Sequence, residues 1–271
     1  MTRVGGFLVI GSRGLLGSLF MRRLAGRVRG VDLPDFDLTS GRGAIAALVA
    51  DSGAETVLNC AAITDVDYCE THREAAFALH ASAVEDLSAV CPRLVTFSTD
   101  HVFTGPGVRP LLEDDPVSPA NAYAESKLAG EKAALRSGSS VLVIRTSWLF
   151  AGDAGLVPRL RSRIASGGKV RAVADQVACV TYAPDLVEAV LAMISDGCTG
   201  LVHAVNPGPE SPLGIARELG GGDSIEPVRW ADLGLPARRP SYSALGTSTG
   251  YVLPDRADAI ERWRRGSEQD K

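Results

Sequence analysis

Tyr123 and Lys127 are the two residues whose types and spacing most directly indicate catalysis. They begin a segment with helical character, and the separation of four positions puts phenol and ammonium on one helix face, with Cβ atoms about 5 to 6 Å apart. A phenol with a pKa of about 10 is a poor acid at neutral pH, and lowering it by about two to three units requires roughly 3 to 4 kcal/mol. A neighbouring ammonium and a nicotinamide cation can together supply this stabilisation. By itself the pair more often reflects an exposed tyrosine and a solvated lysine, and its position in the fold is what favours catalysis.

Two further segments place small or polar side chains directly after predicted strands. The strand Leu94–Ser98 is followed by Thr99, whose hydroxyl can bond a ketone oxygen, and the strand Thr56–Asn59 is followed by Cys60-Ala61-Ala62. Small residues there would let a nicotinamide ring lie close to the backbone. Because the carboxyl ends of parallel strands share one edge of a sheet, these groups are expected to converge. The convergence favours hydride transfer between a carbonyl and an alcohol.

A glycine-rich loop lies between the first predicted strand and the first predicted helix. In Gly11-Ser-Arg-Gly14-Leu-Leu-Gly17, the first glycine permits a tight turn, the second lets the backbone approach a pyrophosphate, and the third lets the helix pack against the sheet. Without the strand before it and the acidic residue after it, an ordinary glycine-rich turn would be an equally good interpretation. The loop residues predicted to contact a dinucleotide are Gly11, Arg13, Gly14, Leu15, Leu16 and Gly17.

Asp32 ends the second predicted strand about 20 residues after the first glycine, where a carboxylate can accept both hydroxyls of an adenosine ribose. It would repel an adenosine 2′-phosphate, whereas Arg13 and Arg29 could pair with one. The sequence therefore favours NADH and leaves NADPH open. Asp37 and Leu38 are predicted to flank the adenine, although an aspartate before a helix is as often a cap.

The elements that must position these residues alternate between short β-branched runs and longer amphipathic stretches. This pattern predicts an α/β chain with a doubly wound, Rossmann-type parallel sheet. The predicted strands are Phe7–Ile10, Val28–Asp32, Thr56–Asn59, Leu94–Ser98, Val141–Arg145 and Leu201–Val205. The predicted helices are Leu15–Ala25, Gly43–Asp51, Arg73–Ala89, Tyr123–Ser137 and Pro184–Ile194.

The chain changes character after Phe150, where basic residues and glycine- and proline-rich stretches begin. Residues 1–151 and 183–205 are predicted to form the dinucleotide-binding domain. Residues 152–182 and 206–271 are predicted to form a smaller, discontinuous substrate-binding lobe over the carboxyl ends of the strands.

Composition argues against several classes of partner. The 271 residues include 28 basic and 32 acidic ones scattered along the chain, and the net charge of −4 disfavours nucleic acid as a partner. Apolar runs stay well below the roughly 18 residues needed to cross a membrane. Five cysteines without a C-x-x-C motif favour reduced thiols over disulfides or a zinc site. We therefore predict a cytoplasmic monomer or homodimer without a metal site.

Over nearly its whole length the chain resembles the extended short-chain dehydrogenase/reductases, and within them the dTDP-4-dehydrorhamnose reductase-like proteins. The blocks Ser98-Thr-Asp-His-Val-Phe-Thr-Gly105 and Arg145-Thr-Ser-Trp148 are the most distinctive of this subgroup. The other matching blocks, besides the glycine loop and the Tyr123/Lys127 pair, are Asp37-Leu-Thr39, Asn59-Cys-Ala-Ala-Ile-Thr-Asp-Val-Asp67, Ser126-Lys-Leu-Ala-Gly-Glu131, Asp175-Gln176 and Arg239-Pro-Ser-Tyr-Ser-Ala-Leu245.

The resemblance implies reduction of the C4 ketone of a nucleotide-activated 4-keto-6-deoxy sugar, with hydride from NADPH or NADH and the proton from Tyr123. Lys127 would hold the nicotinamide ribose and tune the phenol, and Thr99 would orient the carbonyl. Trp148 would lie near the substrate, although it could instead be a core residue at a strand end. Arg239 could pair with the diphosphate of the sugar nucleotide or cap the lobe structurally. The residues implied to bind substrate are Thr64, Val66, Thr99, His101, Trp148, Gln176 and Arg239.

The chain departs from the family pattern at three positions. His101 replaces a usual tyrosine, so either substrate preference has moved or the residue is a surface histidine. His80 stands where the family has a helical asparagine on the cofactor side, which would alter a proton relay. Val180 replaces a usual proline, and nothing firm follows from that exchange.

Three other functions compete with this prediction. A nucleotide-sugar 4,6-dehydratase is disfavoured, because such enzymes typically carry Asp-Glu after the threonine, whereas here Asp100 is followed by His101. An epimerase would use the same tyrosine and lysine with tightly held oxidised cofactor. A non-catalytic binding protein is the third, since the family also resembles a regulatory subunit of methionine adenosyltransferase. The intact Thr99, Tyr123 and Lys127 favour an enzyme.

Overall fold

The structure is a computed structural model, and it describes residues 6–138 and 140–269. The strands are β1 (Phe7–Ile10), β2 (Val28–Val31), β3 (Thr56–Asn59), β4 (Arg93–Thr99), β5 (Ser140–Thr146), β6 (Leu149–Phe150), β7 (Val170–Val173), β8 (Thr181–Tyr182), β9 (Gly200–His203) and β10 (Ile225–Val228). The α-helices are α1 (Leu15–Arg23), α2 (Arg42–Ser52), α3 (Val66–Thr71), α4 (Arg73–Phe77), α5 (Ala83–Val90), α6 (Ala122–Arg136), α7 (Leu156–Ala165), α8 (Ala183–Ser195), α9 (Pro212–Glu218) and α10 (Arg256–Gln269).

Six strands form one parallel sheet in the order β2-β1-β3-β4-β5-β9. Each strand predicted from the sequence is present, with ends within two residues of those expected. β2 lies on one side of β1, and β3 lies on the other side. The strand order therefore reverses between β1 and β3. Ligands of such sheets bind at the carboxyl ends of the strands beside this reversal. The predicted α/β fold class is confirmed.

The sheet is covered by helices on both faces, which explains its continuous apolar strands. Phe7 and Val9 pack into one core with residues of α1 and α8, whereas Leu8 and Ile10 pack into the opposite core with residues of α2 and α5. Alternate strand residues point to opposite faces. All four side chains of β1 are therefore buried, as expected of an inner strand.

The predicted helix Arg73–Ala89 differs from the observed structure. A π-helical segment, Ala78–Ser82, interrupts it between α4 and α5. A π-bulge adds one residue to a turn, which apolar periodicity does not register. The extra residue turns His80 into the protein interior, and its carbonyl lies so close to α6 that a Cβ at Gly130 would collide with it.

A further apolar cluster lies mainly in the part of the chain assigned from its sequence to the smaller lobe. Val157, Val170, Ile215 and Trp263 are among its buried members, and Phe150 joins it from before the predicted boundary. The two-stranded sheet β7–β10 also lies in that part, whereas the sheet β6–β8 pairs Leu149–Phe150, before the boundary, with Thr181–Tyr182. The division into two domains at the predicted boundaries stays a prediction. Within the described ranges, no helix is both long and apolar enough to span a bilayer.

A buried ion pair joins α6 to the sheet. The Arg145 guanidinium on β5 donates to both carboxylate oxygens of Glu131, with the shortest distance 2.8 Å, and the two side chains are 4% and 3% exposed. Ser98 at the end of β4 donates to the same carboxylate. Arg145 also stacks on the Phe103 ring, 5.1 Å from its centroid. One carboxylate thus links the helix to two neighbouring strands.

Arg145→Met should lower the free energy of unfolding by about 3 to 5 kcal/mol, because Glu131 is left buried without its counter-charge. Urea unfolding at neutral pH measures the loss, and adding Glu131→Gln should recover part of it by removing the charge. As a control, Arg23→Met breaks the exposed Arg23–Glu188 pair and should cost at most about 1 kcal/mol. Equal losses from the two single arginine variants would contradict this account.

Candidate active site

The glycine loop connects β1 to α1 at the strand-order reversal. Gly11 has a φ of +77°, and a Cβ there would lie 2.6 Å from the Ala61 backbone nitrogen. A Cβ on Gly17 would collide with the Gly11 carbonyl oxygen. Neither position has room for a side chain. Gly14 is the N-cap of α1 and adds no side-chain cap, so the amides of the first turn stay available to a pyrophosphate. This backbone cradle fits the predicted dinucleotide.

The remaining loop residues divide between core and surface. Leu16 is buried against the α8 face of the sheet, and Leu15 is partly exposed beside it. Across the loop, Cys60, Ala61 and Ala62 are half-buried after β3. All five cysteines are free thiols. The two loops thus form adjacent walls at the carboxyl ends of β1 and β3.

The Asp32 carboxylate lies directly after β2 and accepts hydrogen bonds from the Arg13 and Leu33 amides, both at 2.8 Å. The Arg13 guanidinium donates to the Leu33 carbonyl at 2.6 Å and pairs with Asp35. Both partners of that ion pair are more than half exposed. An acid and an exposed cation therefore meet where an adenosine ribose is predicted to bind.

The other residues predicted for the adenosine end have structural partners. Asp37 caps the short 3₁₀ helix Leu38–Ser40, and the hydrogen bonds from the Thr39 side chain and amide lower the pKa of Asp37. Leu38 is buried in the core on the α2 face. Arg29 pairs with Asp51 at 2.5 Å. Arg13 is thus the cation that lies next to Asp32.

The first turns of α6 carry the predicted phenol and ammonium. Asn121 caps the helix by accepting from the Ala124 amide at 2.8 Å, and Glu70 accepts from the Ala122 amide at 2.8 Å. The Lys127 charge acts on the thiol of Cys60, in the loop after β3. The ammonium is therefore directed toward the predicted cofactor wall.

The Tyr123 ring lies between two imidazoles. Its centroid is 5.6 Å from that of His80 and 5.9 Å from that of His101, and both contacts are nearly perpendicular. The Thr99 side chain lies close enough to the phenol to lower its pKa. The Thr99 hydroxyl accepts from the His101 amide at 3.1 Å. The structure thus brings together Thr99, Tyr123 and Lys127, with His101 beside them.

Burial dominates the electrostatics of this group. It raises the pKa of the Tyr123 phenol above its ordinary value, while the Thr99 side chain acts in the opposite direction. Burial also lowers the pKa of Lys127 to about 8, opposed by the nearby Glu131 carboxylate. The sequence predicted a phenol acidified by its lysine neighbour. The chain's own residues instead keep the phenol protonated, because a buried phenolate loses its hydration.

Three buried polar atoms near the predicted substrate side have no hydrogen-bond partner among the described residues: His101 Nδ1, Ser147 Oγ and Gln176 Nε2. Unpaired buried polar atoms are costly and uncommon in proteins. The segment after β4 is tied to the later chain, since Ser243 donates to Asp100 at 2.5 Å. The neighbouring Tyr242 pairs with Val177, which follows Gln176. These contacts place Gln176 on the same side as His101.

The other substrate-side residues have mixed surroundings. Thr64 is exposed and Val66 begins α3, half-buried. Trp148 is partly exposed against the cluster around Phe150 and has a φ of +32°, rare for a residue other than glycine. Such strained backbone often occurs at functional sites.

Arg239 is engaged within the protein. Its guanidinium donates to Asp67 at 2.8 Å and lies 4.5 Å from the centre of the Trp230 ring. It is close enough to His101 to lower the pKa of that imidazole, adding to the larger effect of burial. This arrangement matches the structural alternative, in which Arg239 caps the later part of the chain.

Sequence reasoning missed Glu131, Arg145, Ser98 and Ser147 as members of the site. The spacing of Glu131, four residues after Lys127, was a usable signal. No sequence signal placed Ser98 and Arg145 on the same carboxylate, because that contact depends on the pairing of β4 with β5. Within the described ranges, no three His, Cys, Asp or Glu side chains cluster to hold a metal ion.

The chain is similar to several named reductases. The family described as RmlD substrate binding domain matches residues 6–267. A dTDP-4-dehydrorhamnose reductase of Mycobacterium tuberculosis is 40% identical over 209 residues, covering 71% of this chain and 69% of that protein.

Two solved structures share the fold along almost the entire chain. A dTDP-4-dehydrorhamnose reductase from Clostridium acetobutylicum has a TM-score of 0.91 and 28% identity, covering 97% of this chain and 99% of that one. A dTDP-4-dehydrorhamnose reductase from Bacillus anthracis, in complex with NADP, has a TM-score of 0.90 and 25% identity, with the same coverage.

Asp32→Ala should shift nucleotide preference toward NADPH. The carboxylate favours free ribose hydroxyls and repels a 2′-phosphate, so its loss should raise the ratio of NADPH to NADH affinity by about tenfold, equivalent to about 1.4 kcal/mol. Titration calorimetry with each nucleotide measures the ratio. Asp35→Ala, which removes only the exposed partner of Arg13, should leave NADH affinity unchanged. An unaltered ratio in Asp32→Ala would remove this residue from cofactor selection.

Proposed function

The chain belongs to the RmlD substrate-binding domain family, and from this premise we propose how its site reduces a sugar ketone. It is an NAD(P)H-dependent oxidoreductase of deoxysugar biosynthesis that reduces the C4 ketone of a nucleotide-activated 4-keto-6-deoxy sugar. The observation that carries the assignment of roles is the Tyr123 phenol. It is buried, lies close enough to Thr99 for that side chain to lower its pKa, and is one helical turn from Lys127.

In the proposed reaction, Tyr123 is the general acid. Bound reduced nicotinamide supplies the hydride. As C4 gains that hydride, the C=O π bond breaks and the carbonyl oxygen takes the phenolic proton, leaving a phenolate that solvent reprotonates. Burial keeps the Tyr123 phenol protonated at neutral pH, so the proton is present, but the raised pKa also makes the phenol a weaker acid. The positive charge of Lys127 is proposed to offset this as the alkoxide develops.

Lys127 and Thr99 have supporting roles. Lys127 is proposed to hold the nicotinamide ribose and to stabilise the phenolate left after proton transfer. It stays mostly charged at neutral pH, because its pKa is lowered only to about 8 by burial. The Thr99 hydroxyl is proposed to orient the carbonyl oxygen beside the phenol, at the carboxyl end of β4.

The substrate is proposed to contact His101, Ser147, Trp148 and Gln176, together with Thr64 and Val66 at the start of α3. The unpaired atoms of His101, Ser147 and Gln176 support this proposal, since a sugar offers hydroxyls that could satisfy them. For Arg239 we favour the capping role, because its guanidinium is already paired with Asp67.

The remaining functional predictions concern the protein's state and location. A cytoplasmic monomer or homodimer, without nucleic acid as a partner, stays the prediction from composition. Asp100 accepts a hydrogen bond from Ser243 and is followed by His101, where a 4,6-dehydratase would typically carry glutamate. Both observations support a reductase over a 4,6-dehydratase with this fold.

Tyr123→Phe should lower kcat by about 10² or more while leaving the Kd for NADPH within about threefold, because only the positioned acid is lost. The measurement follows the loss of reduced nicotinamide absorbance with a panel of dTDP-4-keto-6-deoxy sugars. Unchanged turnover would remove Tyr123 from the mechanism. Cofactor binding without turnover of any sugar by the wild type would favour a binding protein, and C4 epimerisation with retained NAD⁺ would favour an epimerase.

The value of kcat/KM for reduced cofactor should fall above about pH 8. The charged form of Lys127 exists below its pKa of about 8 and is lost as pH rises through it. Because kcat/KM reports ionisations of the free enzyme, initial rates across the pH range measure this directly. The residual kcat/KM of Tyr123→Phe should fall over the same pH range as that of the wild type, because the phenol is not the titrating group. A flat profile to about pH 10, the unperturbed range for lysine, would contradict this role.

A further inference from the structure

The π-helical segment turns His80 into a bridge between two walls of the site. Its Nε2 atom is 2.9 Å from the Ile63 backbone nitrogen, and its Nδ1 atom is 2.9 Å from the Ser126 hydroxyl. The Ser126 hydroxyl in turn donates to the Tyr123 carbonyl at 2.8 Å. His80 is 2% exposed, so these bonds are made without competition from solvent.

The donor and acceptor of each of these hydrogen bonds follow from one group, the Ile63 backbone amide. A backbone amide can only donate, so His80 Nε2 must be the acceptor of the Ile63 N–H and carries no proton. A neutral ring then carries its proton on Nδ1, which donates to Ser126, whose own proton goes to the Tyr123 carbonyl. The tautomer assigned in this way satisfies every polar atom of the imidazole.

His80 connects the loop after β3 to the first turns of α6. The proposed reaction requires a fixed distance between these two elements. Ile63 belongs to the loop after β3, which carries the predicted nicotinamide wall at Cys60-Ala61-Ala62. Ser126 belongs to the first turns of α6, which carry the phenol. The His80 ring also contacts the Tyr123 ring directly.

We infer that His80 is a positioning residue, a neutral imidazole protonated on Nδ1 that holds the loop of residues 60–64 at a set distance from Tyr123. The catalytic consequence of this inference rests on the proposed function. The pair of hydrogen bonds that His80 makes with Ile63 and Ser126, which we call the clamp, is a property of the chain alone. A charged imidazolium would present a second donor to the Ile63 amide and open the clamp. His80 is thus a fixed support and not a proton relay.

The surroundings of His80 favour the neutral ring. Lys127 and Glu131 are the charged groups that line, with His80, a cavity of about 10 Å³. Burial, reinforced by the Lys127 charge, lowers the pKa of His80 to about 2. The cavity has about the minimum size for one water, and its walls include the polar residues Thr96 and Ser98.

The first test needs no substrate. In ¹⁵N-labelled protein, long-range ¹H–¹⁵N spectra should show His80 protonated on Nδ1 and unprotonated on Nε2 throughout about pH 5 to 8. The Ile63 amide should exchange slowly with solvent. An Nε2-protonated or charged His80, or a rapidly exchanging Ile63 amide, would overturn the clamp regardless of what the enzyme reduces.

The second test uses two variants. In His80→Gln the carboxamide offers one acceptor and one donor, as the neutral ring does, whereas His80→Phe keeps a ring and offers neither. We expect Ile63 exchange to accelerate by about tenfold or more in His80→Phe only. We also expect kcat to fall by about 10- to 100-fold in His80→Phe, with the KM for NADPH changed much less, and by less than about threefold in His80→Gln.

Met193→Ala is the matched control, because Met193 is equally buried but lies in the core on the α8 face of the sheet. It should lower the thermal midpoint at least comparably without the same loss in kcat. Equal kcat losses in Met193→Ala and His80→Phe, or in His80→Gln and His80→Phe, would reduce His80 to a general stability role. If the wild type reduces no sugar ketone, the proposed function fails, while the tautomer and exchange measurements still decide the clamp.

Discussion

The Glu131 carboxylate is the contact on which the geometry of the site depends. It lies on α6, one turn after Lys127, and is held by Ser98 from β4 and Arg145 from β5. Removing a carboxylate from water is costly unless its oxygens are fully paired, and here the guanidinium and the hydroxyl do so. If the helix that carries the phenol slid or rotated on the sheet, the buried Glu131 carboxylate would lose its partners. The helix is therefore held in place.

The same burial determines how the reacting groups ionise. A phenol and an ammonium in a polar, wet cleft would both titrate near their ordinary values. Here the helix packs so closely that Tyr123 keeps its proton and Lys127 holds its charge less firmly. The first effect keeps on Tyr123 the proton that reduction requires, but it also makes the phenol a weaker acid. Efficient proton transfer therefore depends on the positive charge placed beside the phenol.

The later part of the chain closes this edge of the sheet through polar contacts. Arg239 pairs with Asp67, Ser243 donates to Asp100, and the Asn121 amide donates to the Arg238 carbonyl at 2.7 Å. Each contact joins a residue beyond position 236 to a loop, a cap or the first turn of a helix at the carboxyl ends of the strands. Through Tyr242 and Ser243, this part of the chain also joins the Gln176 segment to the segment after β4.

Local sequence determined much of this protein. The six strands of the central sheet, the helices that cover it, the glycine loop, the position of Asp32 after β2 and the Tyr123/Lys127 spacing all follow from periodicity and residue type, because they depend on neighbours within a few positions. The short strands β6, β7, β8 and β10 and the helices α3, α7, α9 and α10 were not predicted. In the chain without its cofactor, burial raises the pKa of Tyr123, and a π-bulge with no periodic signature turns His80 inward. Burial and cross-strand bonding depend on residues distant in sequence, so only the tertiary structure could assign Glu131, Arg145 and His80.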